Sequence, residues 1–396
     1  MGSLALTVVL GCVPEKGQDA DLPDPTVLLV SLDGFRANYA ELADTPHLDR
    51  LESEGFKADS LVPVLPTKTF PNHWTQVTGL TPARHGILDN TVYDPGTGDW
   101  FSMGDSQSTQ DPRWWGGEPI WETAERQGLR GATMFWPGSD ARPPSRHVPY
   151  DGTLADRDRV EIVLDWLELP EDVRPHFVTL YFSEPDGKGH AEGPRGPELR
   201  REITDVDALI GTLLEGMDER DLAERVDLLV VSDHGMTSID PKRVVFIDDH
   251  LPLEDLFVVT WTPVTNLWVE DVDGAVEALQ GMGHSTCARP EDLPWPFHGH
   301  PGIGDVVCVA DEGWIISSRQ WFADNQDRYT GGTHGYAPEL DSMQGILYGR
   351  GPGLAQGRFG PVRALDLHEL MAALLQIEPA PNEGALPTEL LQTQSE

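Results

Sequence analysis

The chain has 396 residues and carries 28 Lys+Arg against 66 Asp+Glu, a formal net charge of -38 with histidine neutral. Its 39% hydrophobic and 24% charged residues are those of a folded protein and exclude a disordered chain; the length suits one large domain or two to three smaller ones. The acidity excludes a nucleic-acid duplex as main partner, because a polyphosphate backbone is bound by Lys and Arg that release its counterions, but it leaves room for a small anion held by local cations.

At the amino end, Leu4 to Cys12 resembles the end of a secretory apolar segment, and Val9-Leu10-Gly11-Cys12 resembles a bacterial lipoprotein cleavage box, although no Lys or Arg precedes it. This reads as export to the periplasm or cell surface, with Cys12 as a candidate lipid anchor. The apolar run is about half of the ~20 residues a spanning helix needs, so no integral membrane protein is expected. Residues 1–25 are therefore a signal-like segment and a Pro-rich linker, and the folded region is expected over 26–385.

Short apolar runs rich in Val and Leu at 26–32, 176–182, 226–232 and 344–348 read as buried parallel strands. Amphipathic stretches at 46–54, 160–169, 198–217 and 365–375 return apolar residues every three or four positions and read as helices. Strands alternating with helices predict an α/β fold, a mostly parallel central sheet flanked by helices. Residues 238–330, rich in Pro, Trp and acidic residues, read as a smaller inserted subdomain, and 386–396 as a flexible tail. No fixed-period repeat is present, which disfavours solenoids and propellers. The three cysteines, Cys12, Cys287 and Cys308, exclude a disulfide framework, allow at most one bridge in the folded region, and leave the compartment open.

The strand ends carry polar residues, and ligands of open α/β sheets bind outside the carboxyl ends of strands. Asp33, Asp186 with His190, Asp233 with His234, and His334 lie in four short segments and offer three carboxylates and three imidazoles. Mixed Asp/His sets suit zinc, and six ligands exceed what one tetrahedral zinc uses, so a two-metal site is expected; taken singly, each could also be a polar residue satisfying a loop backbone. Two metals about 4 Å apart clamp the attacking and leaving oxygens of an in-line phosphoryl displacement. Such a site needs a nucleophile. Residues 65–74 offer hydroxyls at a turn entering a helix, where free N–H groups favour an anion; Thr69 is the candidate, with a helix N-cap as the local alternative. His298-Gly299-His300 lacks a carboxylate or cysteine at ligand spacing and reads as a solvent-facing loop.

These segments, in this order, resemble the nucleotide pyrophosphatase/phosphodiesterase family of the alkaline phosphatase superfamily. The likeness runs through Asp33-Gly34-Phe35-Arg36, Thr67-Lys68-Thr69-Phe70-Pro71-Asn72-His73, His85-Gly86-Ile87-Leu88-Asp89-Asn90, Glu184-Pro185-Asp186-Gly187-Lys188-Gly189-His190, Ser232-Asp233-His234-Gly235-Met236 and Thr333-His334-Gly335-Tyr336. It covers roughly 26–240 and 330–350. The resemblance implies an alkaline-phosphatase-like fold and two Zn²⁺, one held by Asp186, His190 and His334, the other by Asp33, Asp233, His234 and the Thr69 oxygen. It further implies Thr69 as nucleophile through a threonyl intermediate, Asn90 as donor to a phosphate oxygen, and Phe70 with Tyr181 sandwiching the nucleobase or another substrate group. Lys68 and Arg36 are expected to add to the local field or to be structural. Trp74 stands where the family often has tyrosine, the cysteine-rich modules and nuclease-like extension of larger animal members are missing, and 238–330 shows little that matches.

The leading expectation is a zinc-dependent phosphodiesterase/pyrophosphatase releasing a nucleoside 5'-monophosphate from small nucleotide substrates, with no protein partner predicted. A choline- or glycerol-type phosphodiester hydrolase on the same scaffold, or a non-catalytic metal- or nucleotide-binding surface protein, are the alternatives. A sulfatase is disfavoured by the threonine, and a monoesterase by the lack of an arginine beside it to clamp a dianion.

Overall fold

The computed structural model describes residues 25–392. Eight strands form the central sheet: β1 (Thr26–Leu32), β2 (Phe56–Ala58), β3 (Gly131–Met134), β4 (Arg146–Val148), β5 (Phe177–Phe182), β6 (Val226–Val231), β7 (Leu347–Arg350) and β8 (Gly357–Phe359). Their order across the sheet is β8-β2-β7-β6-β1-β5-β3-β4. The three central strands β6, β1 and β5 are parallel neighbours, with Leu29 opposite both Leu229 and Thr179.

Both faces of the sheet are covered, which is why these strands read as unbroken apolar runs. Along β1, Val27 and Leu29 enter one core while Leu28, Val30 and Leu32 enter the other. The first core includes the helices Thr69–Thr78, Ile120–Arg126 and Leu367–Leu374; the second includes Pro46–Glu54, Asp156–Leu167 and Pro197–Glu219. In the 23-residue helix Pro197–Glu219, Leu199, Ile203, Val206, Ile210, Leu213, Leu214 and Met217 are all buried, the three-and-four spacing of one apolar face. Burial contributes about 1.5–3 kcal/mol for each such large side chain, so this face anchors the helix far more strongly than intrinsic propensity does.

One predicted strand runs the other way. β7, expected to be parallel, is antiparallel to both β6 and β2. A short apolar run carries no direction; the connection sets it. The chain leaves β6 at its carboxyl end, and the following excursion is closed at that same end by Thr237–Ser238 pairing with Gly332–Thr333. The returning strand must then run back along β6, with Leu347 opposite Val231 and Arg350 opposite Leu228.

The excursion has its own core, gathering Ile247, Leu267, Val306, Cys308, Ile316 and Tyr336 among others. It includes a four-stranded antiparallel sheet in the order Leu256–Thr260, Val264–Val269, Val306–Ala310, Ser285–Ala288. Cys287 and Cys308 face each other across this sheet and form a disulfide. The Cys12 lipobox lies outside the described residues. The tail expected from 386 is packed as far as 392: Leu390 is buried, and Leu391 bridges Leu354. Among the described residues no helix is long and apolar enough to cross a membrane.

At the start of β6, burial pushes the Asp227 carboxyl from 3.8 up to about 6, offset only in part by the Gly353 N–H it accepts at 2.7 Å. A carboxyl whose folded pKa is raised favours the folded state when protonated, so its penalty is absent below about pH 4 and complete above about pH 6. Asp227→Asn, whose amide oxygen still accepts the Gly353 N–H, is expected to raise stability at pH 7.5 by roughly 1–3 kcal/mol and to leave it unchanged near pH 4. Thermal melts of both proteins at the two pH values check this; an equal or lower melting temperature for the variant at pH 7.5 contradicts it.

Candidate metal centre

Because β6, β1 and β5 are adjacent and parallel, the residues that follow them emerge side by side. Asp233 and His234 follow β6, Asp33 follows β1, and Asp186 opens the helix Asp186–Glu192 just after β5, with His190 one turn further on. His334 arrives from the excursion, directly after Gly332–Thr333. All six predicted ligands therefore meet at one end of the sheet. Gly34 makes the close approach feasible: at φ +66 its N–H donates to Asp233 Oδ1 (3.0 Å), and a Cβ there would lie 2.9 Å from Asp186.

Two overlapping groups have ligand atoms within 4.8 Å of one another: Asp186, His234 and His334, and Asp33, Asp233 and His234. His190 joins the first, its Nε2 lying 3.1 Å from His334 Nε2 and 3.4 Å from Asp186 Oδ2. Each imidazole has its Nδ1 on a backbone carbonyl: His190 on Gly332 (3.0 Å), His234 on Gly235 (2.9 Å) and His334 on Thr67 (2.8 Å). A carbonyl only accepts, so each Nδ1 carries the proton and each Nε2 is left as a lone pair in the neutral ring. Asp33 Oδ1, Asp186 Oδ1 and Asp233 Oδ2 are buried without a hydrogen-bond donor among the described residues. Buried anionic oxygens lacking donors, converging with imidazole lone pairs, are the donor set that a borderline divalent cation such as zinc satisfies.

The electrostatics express the same crowding. Burial, then Asp233 and Asp186, hold the Asp33 carboxyl well above the ordinary carboxylate range. Burial also raises Asp186, beyond the opposing pull of His190 and His234. At Asp233, burial is outweighed by His234 and His73 together with hydrogen bonds, and its pKa falls. Burial, then His234 and His190, push His334 well below its usual value and keep it neutral.

Thr69 is the first residue of the helix Thr69–Thr78, and its side chain does not cap that helix; Lys68 occupies the cap position. Instead the hydroxyl lies 3.3 Å from His234 Nε2. Beside it, Asn90 accepts the Phe70 N–H on Oδ1 (3.1 Å). Lys68 is spent internally: its Nζ holds both Asp89 oxygens (2.8 and 2.7 Å), and Asp89 Oδ1 accepts the Asn90 N–H (2.7 Å). The chain Lys68–Asp89–Asn90–Phe70 closes on itself and fixes the Asn90 loop against the helix start. Arg36 likewise serves the fold, donating to the Met236 carbonyl (3.2 Å).

A cavity of about 460 Å³ opens onto Asp33, Thr69 and Asp186, with walls from Phe70, Trp136, Asp140, Tyr150 and Tyr181. Tyr181, expected to sandwich a substrate group, is 8% exposed and donates its hydroxyl to Asp33 Oδ2 (2.6 Å). Tyr150 is the more open aromatic wall at 55% exposure. Sequence reasoning assigned no role to Tyr150, Trp136 or Asp140, and nothing local marks any of them as lining a cavity. His298 is exposed, and His300 accepts the Gly302 N–H (3.1 Å) with no ligand cluster around it among the described residues.

The family described as type I phosphodiesterase / nucleotide pyrophosphatase matches residues 27–337. Venom phosphodiesterase of Macrovipera lebetinus is 37% identical over 379 residues, covering 90% of this chain and 44% of the venom protein. Human ectonucleotide pyrophosphatase/phosphodiesterase family member 1 is 35% identical over 387 residues, covering 92% of this chain and 41% of its own. The chain thus spans less than half the length of these two relatives. Among solved structures, an inactive threonine-to-alanine variant of murine ectonucleotide pyrophosphatase/phosphodiesterase 5, in complex with AMP, superimposes with a TM-score of 0.86 at 31% identity, covering 93% of this chain and 100% of that one.

Lys68→Met is expected to cost about 3 kcal/mol, because it strands the Asp89 carboxylate, whose side chain is 9% exposed. Adding Asp89→Asn, which keeps an acceptor for the Asn90 N–H, is expected to recover most of that loss. Denaturant unfolding of the two variants tests the arrangement; a double variant no more stable than the single one shows that the charge pair is not what Lys68 contributes.

Proposed function

Because the chain belongs to the type I phosphodiesterase/nucleotide pyrophosphatase family, we propose that it is a zinc-dependent hydrolase that cleaves nucleotide phosphodiester or phosphoanhydride bonds and releases a nucleoside 5'-monophosphate. The observation that carries the reading is the Thr69 hydroxyl, unspent by its own helix and 3.3 Å from His234 within the Asp/His cluster. The AMP complex of the murine relative supports a nucleotide in the adjoining cavity.

Asp186, His190 and His334 would hold one Zn²⁺, and Asp33, Asp233, His234 and Thr69 Oγ the other. When bound, the ions supply Lewis acidity that lowers the pKa of a ligated hydroxyl and offsets charge on the phosphoryl oxygens. Thr69 Oγ gives up its proton to solvent and attacks phosphorus in line, and the bond to the leaving oxygen breaks as the new P–O bond forms. Asn90, fixed by the Phe70 N–H on its Oδ1, donates from Nδ2 to a non-bridging oxygen as charge builds there. The departing alkoxide or phosphate takes a proton from solvent. Water then attacks the threonyl intermediate, the bond to Thr69 Oγ breaks as that oxygen regains a proton in exchange for the one water loses, and the monophosphate leaves. Phe70, Trp136 and Tyr150 offer flat apolar surface for a base. The same aromatic walls with Asp140 suit a quaternary ammonium, so a choline-type diester is the second reading.

The disulfide between Cys287 and Cys308 supports an oxidising, exported location, since such bonds persist outside the reducing cytosol.

The decisive assay compares p-nitrophenyl thymidine 5'-monophosphate, p-nitrophenyl phosphorylcholine and p-nitrophenyl phosphate, with zinc-loaded and chelator-treated protein. Zinc-dependent preference for the nucleotide diester is expected; preference for the choline diester moves the substrate to choline-type phosphodiesters, and no turnover leaves a binding protein. Thr69→Ala is expected to abolish turnover with all six Asp/His ligands intact, and near-normal turnover contradicts the nucleophile assignment.

A further inference from the structure

His73 is fully buried behind the reactive threonine and makes contacts that capping or packing alone would not require. Its Nδ1 lies 2.8 Å from the Thr69 carbonyl and donates to it, since that oxygen can only accept. The same nitrogen lies 3.4 Å from Asp233 Oδ2, one of the oxygens that receives no hydrogen bond. Nε2, left as the acceptor, takes the Ser31 hydroxyl at 2.8 Å, and Ser31 stands on β1 two residues before Asp33. The ring meets Tyr181 edge-on, with centroids 5.3 Å apart, and Tyr181 in turn holds Asp33. One imidazole thus touches the backbone of the nucleophile and the carboxylate of Asp233, and it reaches Asp33 through Tyr181.

We propose that His73 is a positioning residue that sets the Thr69 oxygen against the Asp33/Asp233/His234 half of the centre. The reasoning rests on the functional reading above but not on the identity of the substrate. A hydroxyl carried on the first residue of a helix moves with every small rotation of that helix about its start. His73, one turn along, ties that turn to β1 through Ser31 and lies against Asp233, so the helix and the ligand-bearing strand ends shift together. Outer-shell partners of metal ligands act in this way, and their loss lowers metal affinity or activity by about 10- to 100-fold.

His73→Phe keeps the volume and the aromatic contacts but removes both hydrogen bonds; His73→Asn places an amide N–H where Nδ1 stands. Zinc affinity is read by chelator competition, alongside kcat, KM and circular dichroism. His73→Phe is expected to weaken one of two zinc equivalents by about 10- to 100-fold, leave the other unchanged, and lower kcat with little change in KM. His73→Asn should restore most of both. Should the Phe variant fail to fold, Ser31→Ala removes the Nε2 bond without touching the helix, and a several-fold loss at the same zinc equivalent is expected. A folded His73→Phe, or a Ser31→Ala, with both zinc equivalents and kcat at wild-type values overturns the proposal. Wild-type protein that binds no zinc at all overturns the functional reading instead, so the two failures are distinct.

Discussion

Three carboxylates are buried together at the ends of three neighbouring strands, and nearly everything else about the site answers to that. Asp33, Asp186 and Asp233 are forced into proximity by the β6-β1-β5 order, and each keeps an oxygen without a donor. Like charges in a low-dielectric interior repel by several kcal/mol, and among the described residues no Lys or Arg forms an ion pair with them; Lys68 is consumed by Asp89. The neutral His334, the three Nδ1 protons parked on carbonyls and the uncapped Thr69 all follow the same logic: lone pairs point inward and protons outward. Two divalent cations would exceed the three carboxylates by one positive charge, which reconciles a chain of net charge -38 with an anionic substrate.

Much of this was legible in the sequence, for identifiable reasons. Strands covered on both faces must be apolar at every position, so β1, β5 and β6 stood out as runs, and the acidic residues ending those runs marked the ligand end of the sheet. The long helix Pro197–Glu219 declared itself by spacing alone. Strand direction was not legible for β7, because it depends on where the excursion returns rather than on the residues of the strand. The packed segment ending at 392 was missed for a similar reason: Leu390 and Leu391 look like the fringe of a polar tail until Leu354 is placed beside them.

Side-chain roles divide along the same line. Asp and His declare their chemistry by type, so the candidate ligands could be named before any geometry was known, whereas Thr69 was set apart from a helix N-cap only by the family resemblance. Tyr181, Lys68 and His73 could not be read this way, since each role depends on a partner remote in sequence: Asp33 is 148 residues from Tyr181, and Ser31 is 42 residues from His73. Tyr150 lies between a proline and an aspartate in a loop without periodicity, and only the fold brings it to the cavity wall. The outer layer of the site is thus a property of the tertiary structure, and it determines how accurately the inner layer is held.

Anomalous diffraction at the zinc edge from crystals of the zinc-loaded protein tests the central claim most directly. The account predicts two zinc peaks about 4 Å apart, one between Asp186, His190 and His334 and the other between Asp33, Asp233 and His234 with Thr69 Oγ turned toward it. A single peak, or ions bound elsewhere with the three carboxylates unligated, would contradict it.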